Sequence, residues 1–145
     1  MYKRQGPQFA EAADLAGLSE ANARTAIAQA RVRVLTLGFA PGQPYMGELA
    51  PEWDIPRQSG LTPQVPGGAL VVAIRQLIIF AGPAPTGWRQ IGLTAFRCFR
   101  PEAAQPIALR PGDEVCFRPV DAGELAKIAA QDKTGDGGAD VEVLS

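Results

Sequence analysis

The chain has 145 residues, enough for one domain with its own core. Fourteen Lys and Arg against fifteen Asp and Glu leave a net charge of −1, which excludes the basic footprint of a nucleic-acid binder. Histidine is absent, which removes Ser-His-Asp and Cys-His catalysis as usually built and imidazole metal sites with them. Chemistry must then rest on carboxylates, Arg, Lys, Tyr, backbone N–H groups or the residues of a partner. No stretch is long and apolar enough for a transmembrane helix, and no basic start leads into an apolar run with a cleavage site. The expected compartment is the cytoplasm. Cys98 and Cys116 both have apolar neighbours and read as reduced core thiols.

In chain order, Met1-Tyr2-Lys3-Arg4-Gln5 does not blend into the residues after it, and residues 1–5 read as a non-native N-terminal scar. Residues 6–31 predict two short helices. Phe9, Ala12, Ala13 and Ala16 recur at helical spacing, Gly17 suits the position after a helix end, and Ser19 suits the N-cap of the second helix. The pair mimics a helix-turn-helix, but its second helix is mostly alanine with Arg24 its only basic residue, which argues against DNA.

From residue 32 the character changes. Residues 31–37 alternate and are rich in β-branched side chains, a strand pattern. A Gly/Pro-rich loop is expected from Gly38 to about Val65. The apolar run from Ala69 to Phe80 reads as two strands with a turn or bulge at Arg75-Gln76. Residues 88–99 and 114–119 add strands, with a tight turn at Pro111-Gly112-Asp113. Thirteen prolines and sixteen glycines between short strands point to an irregular barrel or sandwich over residues 32–120. Asp121 and Glu124 have capping-box spacing for a short helix, and the polar, glycine-rich end to residue 145 reads as flexible.

Two nucleotide or metal signals fail. Asp132, Thr134, Asp136 and Gly137 approximate the opening of a calcium loop, but its twelfth position is Val143 where a bidentate Glu belongs. Neither a Walker A sequence nor a Gly-x-Gly-x-x-Gly fingerprint occurs. The sharpest local feature is the segment from Gly38 to Leu49. Its Pro41, Gly42, Pro44 and Gly47 enforce a fixed path able to hold Tyr45 and backbone N–H groups in place.

That segment, Gly38-Phe39-Ala40-Pro41-Gly42-Gln43-Pro44-Tyr45-Met46-Gly47, resembles the Gly-Phe-x-Pro-Gly-Phe-x-Tyr-Leu-Gly-Gly signature of the 5-oxoprolinase B-subunit family. That family overlaps allophanate hydrolase subunit 1 and the kinase inhibitors of sporulation control, all with carboxyltransferase-type domains. Pro56-Arg57, Val65-Pro66-Gly67-Gly68 with the strands to Gln76, Pro85-Thr86-Gly87-Trp88-Arg89-Gln90-Ile91-Gly92 and Gly112-Asp113-Glu114-Val115 are similar to further motifs of the family, in order. Several positions depart from the pattern. Gln43 stands for a Phe, Glu48 for a Gly, Arg75 for a small residue, Leu77 for a Thr and Leu93 for an Arg.

The resemblance implies a mostly β, cyclophilin-like β-barrel with short flanking helices. It also implies that residues 6–31 remain from a truncated N-terminal α/β subdomain, which would leave an apolar patch near Phe9, Leu15 and Leu18. It further implies a non-autonomous subunit of an ATP-dependent 5-oxoprolinase that hydrolyses 5-oxo-L-proline to L-glutamate. The implied partners are a homologous second subunit (of the 5-oxoprolinase C-subunit, or allophanate hydrolase subunit 2, type) and a third, barrel-type subunit (the 5-oxoprolinase A-subunit). ATP with Mg would act in that complex, although no recognisable motif for it occurs in this chain. Alternatives are carboxyl transfer on biotin and non-enzymatic inhibition of a sensor histidine kinase. The expected catalytic residues are Arg57 and Gln76. Phe39, Pro41, Gly42, Tyr45, Trp88 and Thr94 are expected to bind substrate, and no metal ligands are expected. Tyr45, Arg57 and Gln76 are expected to line one cleft near Trp88, because polar residues inside an apolar run must find water or partners.

Overall fold

The computed structural model describes residues 7–141. Helices α1 (Phe9–Leu15) and α2 (Glu20–Gln29) form where helical periodicity placed them. The joint between them is a Schellman turn: Gly17 takes φ 74°, its N–H reaches Asp14 O at 3.0 Å, and Leu18 N–H reaches Ala13 O at 2.9 Å. Ser19 Oγ then caps α2 by accepting from Asn22 N at 3.1 Å.

The strands are β1 (Val32–Leu37), β2 (Pro44–Gly47), β3 (Thr62–Val65), β4 (Ala69–Ala73), β5 (Gln76–Ile79), β6 (Ala84–Thr86), β7 (Arg89–Leu93) and β8 (Glu114–Val115). One antiparallel sheet has the order β7-β4-β5-β2-β1-β8, and β3 pairs with β6 in a separate ribbon. The fold is thus mostly β with short flanking helices, but no closed barrel forms among the described residues. The larger sheet stays open because β8 is only two residues long and the outer edge of β7 is already taken. Gln8 N–H donates to Gln90 O at 3.0 Å, and Gln8 Oε1 accepts from Gln90 N at 2.8 Å.

Opposed residues in a ladder share a face, which separates two apolar layers. Met46, Leu77 and Val72 lie in register on one face and pack with Phe9, Ala12, Ala23 and Ile27 of the helices. Tyr45, Ile78 and Val71 lie in register on the other, where Val65, Ala84 and Trp88 join them. Strand β4 is buried on both faces, which is why it reads as a continuous apolar run. Burying each large side chain here contributes about 1.5–3 kcal/mol.

Several expectations are corrected. Strand β2 lies inside what read as a Gly/Pro loop, and β6 runs through Pro85. The β4–β5 turn is Ile74-Arg75, one residue earlier than expected, because Ala73 pairs with Gln76. Residues 94–99 and 116–119 are not extended into strands beyond the single bridge of Phe99 with Ile107. Phe9 is buried and Leu18 packs on the core, so of the expected apolar patch only Leu15 is well exposed. Met1 to Gln5 and Val143 fall outside the described residues.

Helix α3 (Ala122–Gln131) is capped by Asp121 Oδ1, which accepts from Glu124 N at 2.7 Å. The segment after it folds back instead of trailing away. Arg97 N donates to Gly135 O at 2.7 Å, Arg100 pairs with Asp136 at 2.9 Å, and Gly137 lies so close to Ala95 and Phe96 that a Cβ would meet backbone at 2.4 Å. Burial acts upward on Asp132, but the N–H groups of Gly135, Thr134 and Gly137 and the Arg100 cation outweigh it and hold this carboxyl below its ordinary value. Its oxygens therefore shape a turn. Replacing Arg100 by Ala is expected to speed amide hydrogen exchange at Gly135–Ala139 while β4 and β5 stay protected. The global cost should be about 1 kcal/mol; exchange measured by mass spectrometry reads both.

Candidate functional site

The loop between β1 and β2 closes through Gly38 N to Gln43 O and Gln43 N to Ala40 O, each 3.1 Å. Gly42 has φ 76°, and a Cβ there would lie 2.7 Å from Cys98 O, so both conformation and space demand glycine. Gln43 is buried, and its Oε1 accepts from Ala81 N at 3.0 Å, tying the loop to the end of β5. Thus the glutamine that replaces the family's second Phe serves as a clamp. Pro41 and Phe39 stay exposed, with Phe39 at φ 70° and 71% accessible, its ring 6.2 Å from that of Phe80. An aromatic side chain is therefore held over the second apolar layer.

Tyr45 continues this surface. Its ring meets Trp88 edge-to-face, with centroids 6.0 Å apart. Gln76 pairs with Gly47 across the β2–β5 ladder while Tyr45 pairs with Ile78, so Gln76 and Tyr45 share a face two residues apart. Gln76 is half-buried, and its Cγ borders Gly47. Arg75 turns elsewhere: its Nε donates to Leu49 O at 2.8 Å and its Nη1 lies 3.6 Å from Glu48. Two departures from the family pattern, Glu48 and Arg75, are therefore partners.

Arg57 is exposed and lies beside Gly87, whose Cβ, if present, would be 3.9 Å from that of Arg57. Among the described residues no carboxylate pairs with its guanidinium. The structure thus brings Tyr45, Gln76 and Trp88 to one face and the Cβ of Arg57 beside Gly87, the residue before Trp88, with no hydrogen bond joining Arg57 to Gln76 among the described residues. Thr94 is engaged within the fold. Its hydroxyl donates to Gly68 O at 3.0 Å and accepts from Phe96 N at 3.2 Å. A cavity of about 200 Å³ lies away from this face, on the main core side, between α2 and the loop from Glu48 to Trp53.

Sequence reasoning missed two anchors of the segment around Arg57. Arg89 is buried, with Nε 2.6 Å from Glu11 and Nη1 donating to Pro56 O at 2.6 Å. Gln58 is half-buried and bonded on both ends of its amide. A polar residue in a Gly/Pro-rich stretch gives no periodic signal, so only the contacts reveal it.

The two cysteines are free and differ: Cys98 is buried and Cys116 exposed, which corrects the reading of both as core thiols. Burial pushes the Cys98 thiol up to about 12, against smaller downward pulls from Arg100 and a backbone N–H. Its folded value lies above the unfolded value of 9.0, so it contributes stability below pH 9 that is lost as pH rises towards 12. An alkylating reagent at neutral pH is expected to label Cys116 alone in the folded chain and both thiols in denaturant. Cys98→Ala should show a shallower alkaline loss of stability than the parent. Gly42→Ala is expected to cost about 1–3 kcal/mol, read as a fall in the denaturation midpoint.

Residues 1–109 match the family described as carboxyltransferase domain, subdomain C and D. The B-subunit of 5-oxoprolinase from Escherichia coli O157:H7 is 36% identical over 118 residues, covering 81% of this chain and 54% of that protein. The crystal structure of a conserved uncharacterized protein from Pyrococcus horikoshii superposes with a TM-score of 0.76 at 34% identity, over 83% of this chain and 56% of that one. The K. lactis urea amidolyase shares the fold, with a TM-score of 0.71 at 20% identity over 94% of this chain and 9% of that one. The chain spans about half the length of the curated relatives it matches.

Proposed function

The chain belongs to the carboxyltransferase-domain family, subdomains C and D, and on that footing we propose that it acts as a non-autonomous subunit of a cytoplasmic, ATP-dependent 5-oxoprolinase. The reaction is hydrolysis of 5-oxo-L-proline to L-glutamate. The observation that carries this reading is the Tyr45–Trp88 aromatic pair, which shares its face with Gln76, while the Cβ of Arg57 lies beside Gly87, the residue before Trp88. The substrate is a small, nearly flat lactam with one amide and one carboxylate. Aromatic edges suit the ring, the Gln76 carboxamide can pair with the ring amide, and a guanidinium suits an oxyanion or carboxylate. Arg57 is assigned the negative charge that develops on the lactam oxygen as the ring opens. Phe39 screens the ring from water.

In the proposed complex ATP would supply the activation of the lactam oxygen. No recognisable nucleotide motif occurs in the sequence, and among the described residues no group of three or more His, Cys, Asp or Glu side chains could hold a metal ion. Nucleotide binding is assigned instead to the partners, a homologous second subunit and a third, barrel-type subunit. No helix among the described residues is long and apolar enough to cross a membrane.

The test is reconstitution. The chain alone is expected to give no turnover, and the assembled complex should give ATP-dependent release of glutamate from 5-oxo-L-proline. Arg57→Ala in that complex is expected to lower turnover by about 10²-fold, the scale of one lost charge-stabilising group. Its melting temperature should stay near that of the parent, since Arg57 is exposed and forms no side-chain hydrogen bond or ion pair among the described residues. Full turnover in the variant would remove Arg57 from the mechanism.

A further inference from the structure

The backbone carbonyl of Trp88 is held by one side chain. Gln58 Nε2 donates to Trp88 O at 3.3 Å and to Thr62 Oγ1 at 3.1 Å, while its Oε1 accepts from Gln8 Nε2 at 2.7 Å. Its backbone N donates to Gly87 O at 2.7 Å. The same carboxamide thus joins the start of α1, the β3 strand and the segment that carries Trp88. A Cβ at Gly87 would be in ordinary van der Waals contact with this arrangement, 3.6 Å from Leu61 Cδ2 and 4.0 Å from the Gln58 carbonyl oxygen. On the other side Trp88 N donates to Thr86 Oγ1 at 3.0 Å. Both backbone polar groups of Trp88 are therefore held by side chains, which fixes the stretch of main chain from which the indole reaches Tyr45.

We propose that Gln58 is a positioning residue: it sets the orientation of Trp88 against Tyr45 and, through its own backbone bond to Gly87, the place of the adjoining Arg57. This inference rests on the reading of the Tyr45–Trp88 face as the surface that receives the lactam. Gln58 bonds the backbone carbonyl of Trp88 and touches no reacting atom in this arrangement. Its effect should therefore appear in how well the substrate is held and oriented.

Two substitutions separate the functions of the amide. Gln58→Glu keeps length and the acceptor for Gln8 but has no donor for Trp88 O or Thr62. Gln58→Met keeps volume and removes both ends. In the full chain Trp53 is buried and Trp88 half-buried, so acrylamide quenching reads mainly Trp88. Both variants are expected to raise quenching, and in the assembled complex to raise KM for 5-oxo-L-proline about tenfold with kcat changed less than about twofold. Quenching at the parent level in both variants overturns the inference whatever the activity does. So does a loss of activity that only follows a lowered melting temperature. Trp88→Ala is the control for the underlying reading. If it abolishes turnover while the Gln58 variants behave like the parent, the positioning role fails and the site stands. If Trp88→Ala is fully active, the site itself is misplaced and the positioning role falls with it.

Discussion

Much of this molecule hangs on a left-handed pair at the tip of one hairpin. Ile74 and Arg75 have φ 42° and 63°, the primed turn that a two-residue connection between twisted strands demands. Neither residue is suited to it, and a β-branched side chain in this region is a true outlier. The conformation is held by its surroundings. Ile74 N donates to Ile55 O at 2.8 Å, Arg75 N to Trp53 O at 2.9 Å, and Arg75 O accepts from Leu49 N at 2.8 Å. The segment from Leu49 to Ile55 is thus strapped across the turn, and the buried Trp53 and Ile55 anchor it in the main core. Two residues on, the same segment delivers Arg57 and Gln58 to Gly87. The strain at the turn and the placement of Arg57 are consequences of one set of backbone bonds.

What could be read in advance depends on which signals are local. Helix ends were legible because capping chemistry is carried by single residues, Gly17, Ser19 and Asp121. The buried β4–β5 hairpin was legible because both its strands are strongly apolar. Strand β2 was not, since its four residues include a Pro at the start and a Gly at the end, and what makes it a strand is pairing with β1 and β5. Strand β6 hid for the same reason, with Pro85 between its two paired ends. The packing of the C-terminal segment was likewise invisible. A polar, glycine-rich stretch reads as flexible until Arg100 and the backbone of Ala95 and Phe96 are seen to receive it.

The candidate site was partly legible for a different reason. Its aromatic members lie in motifs that resemble a known family, whereas its supports do not announce themselves in sequence. In the sequence Glu48 and Arg75 stand as two separate departures from the family pattern. In the structure they form one ion pair 3.6 Å long, with Glu48 62% and Arg75 33% exposed at the side chain. An exposed pair of this kind is worth about 0–1 kcal/mol. Its main effect is to turn the Arg75 guanidinium to the carbonyl of Leu49, leaving Gln76 as the polar group on the face of Tyr45.

The absence of histidine gives that arrangement its consequence. Without an imidazole the chain has no side chain whose ordinary pKa lies near neutrality. The buried Cys98, with its thiol pushed up to about 12, does not replace one. The face of Tyr45, Gln76, Trp88 and Arg57 is well equipped to hold a ring and stabilise charge, and poorly equipped to shuttle protons at pH 7. In the proposed reaction, ring opening needs a proton on the departing nitrogen and one removed from the attacking water. Those transfers must then come from groups outside the described face. A binding surface that supplies orientation and charge, with the proton chemistry supplied from elsewhere, is what would make the proposed subunit depend on an assembly.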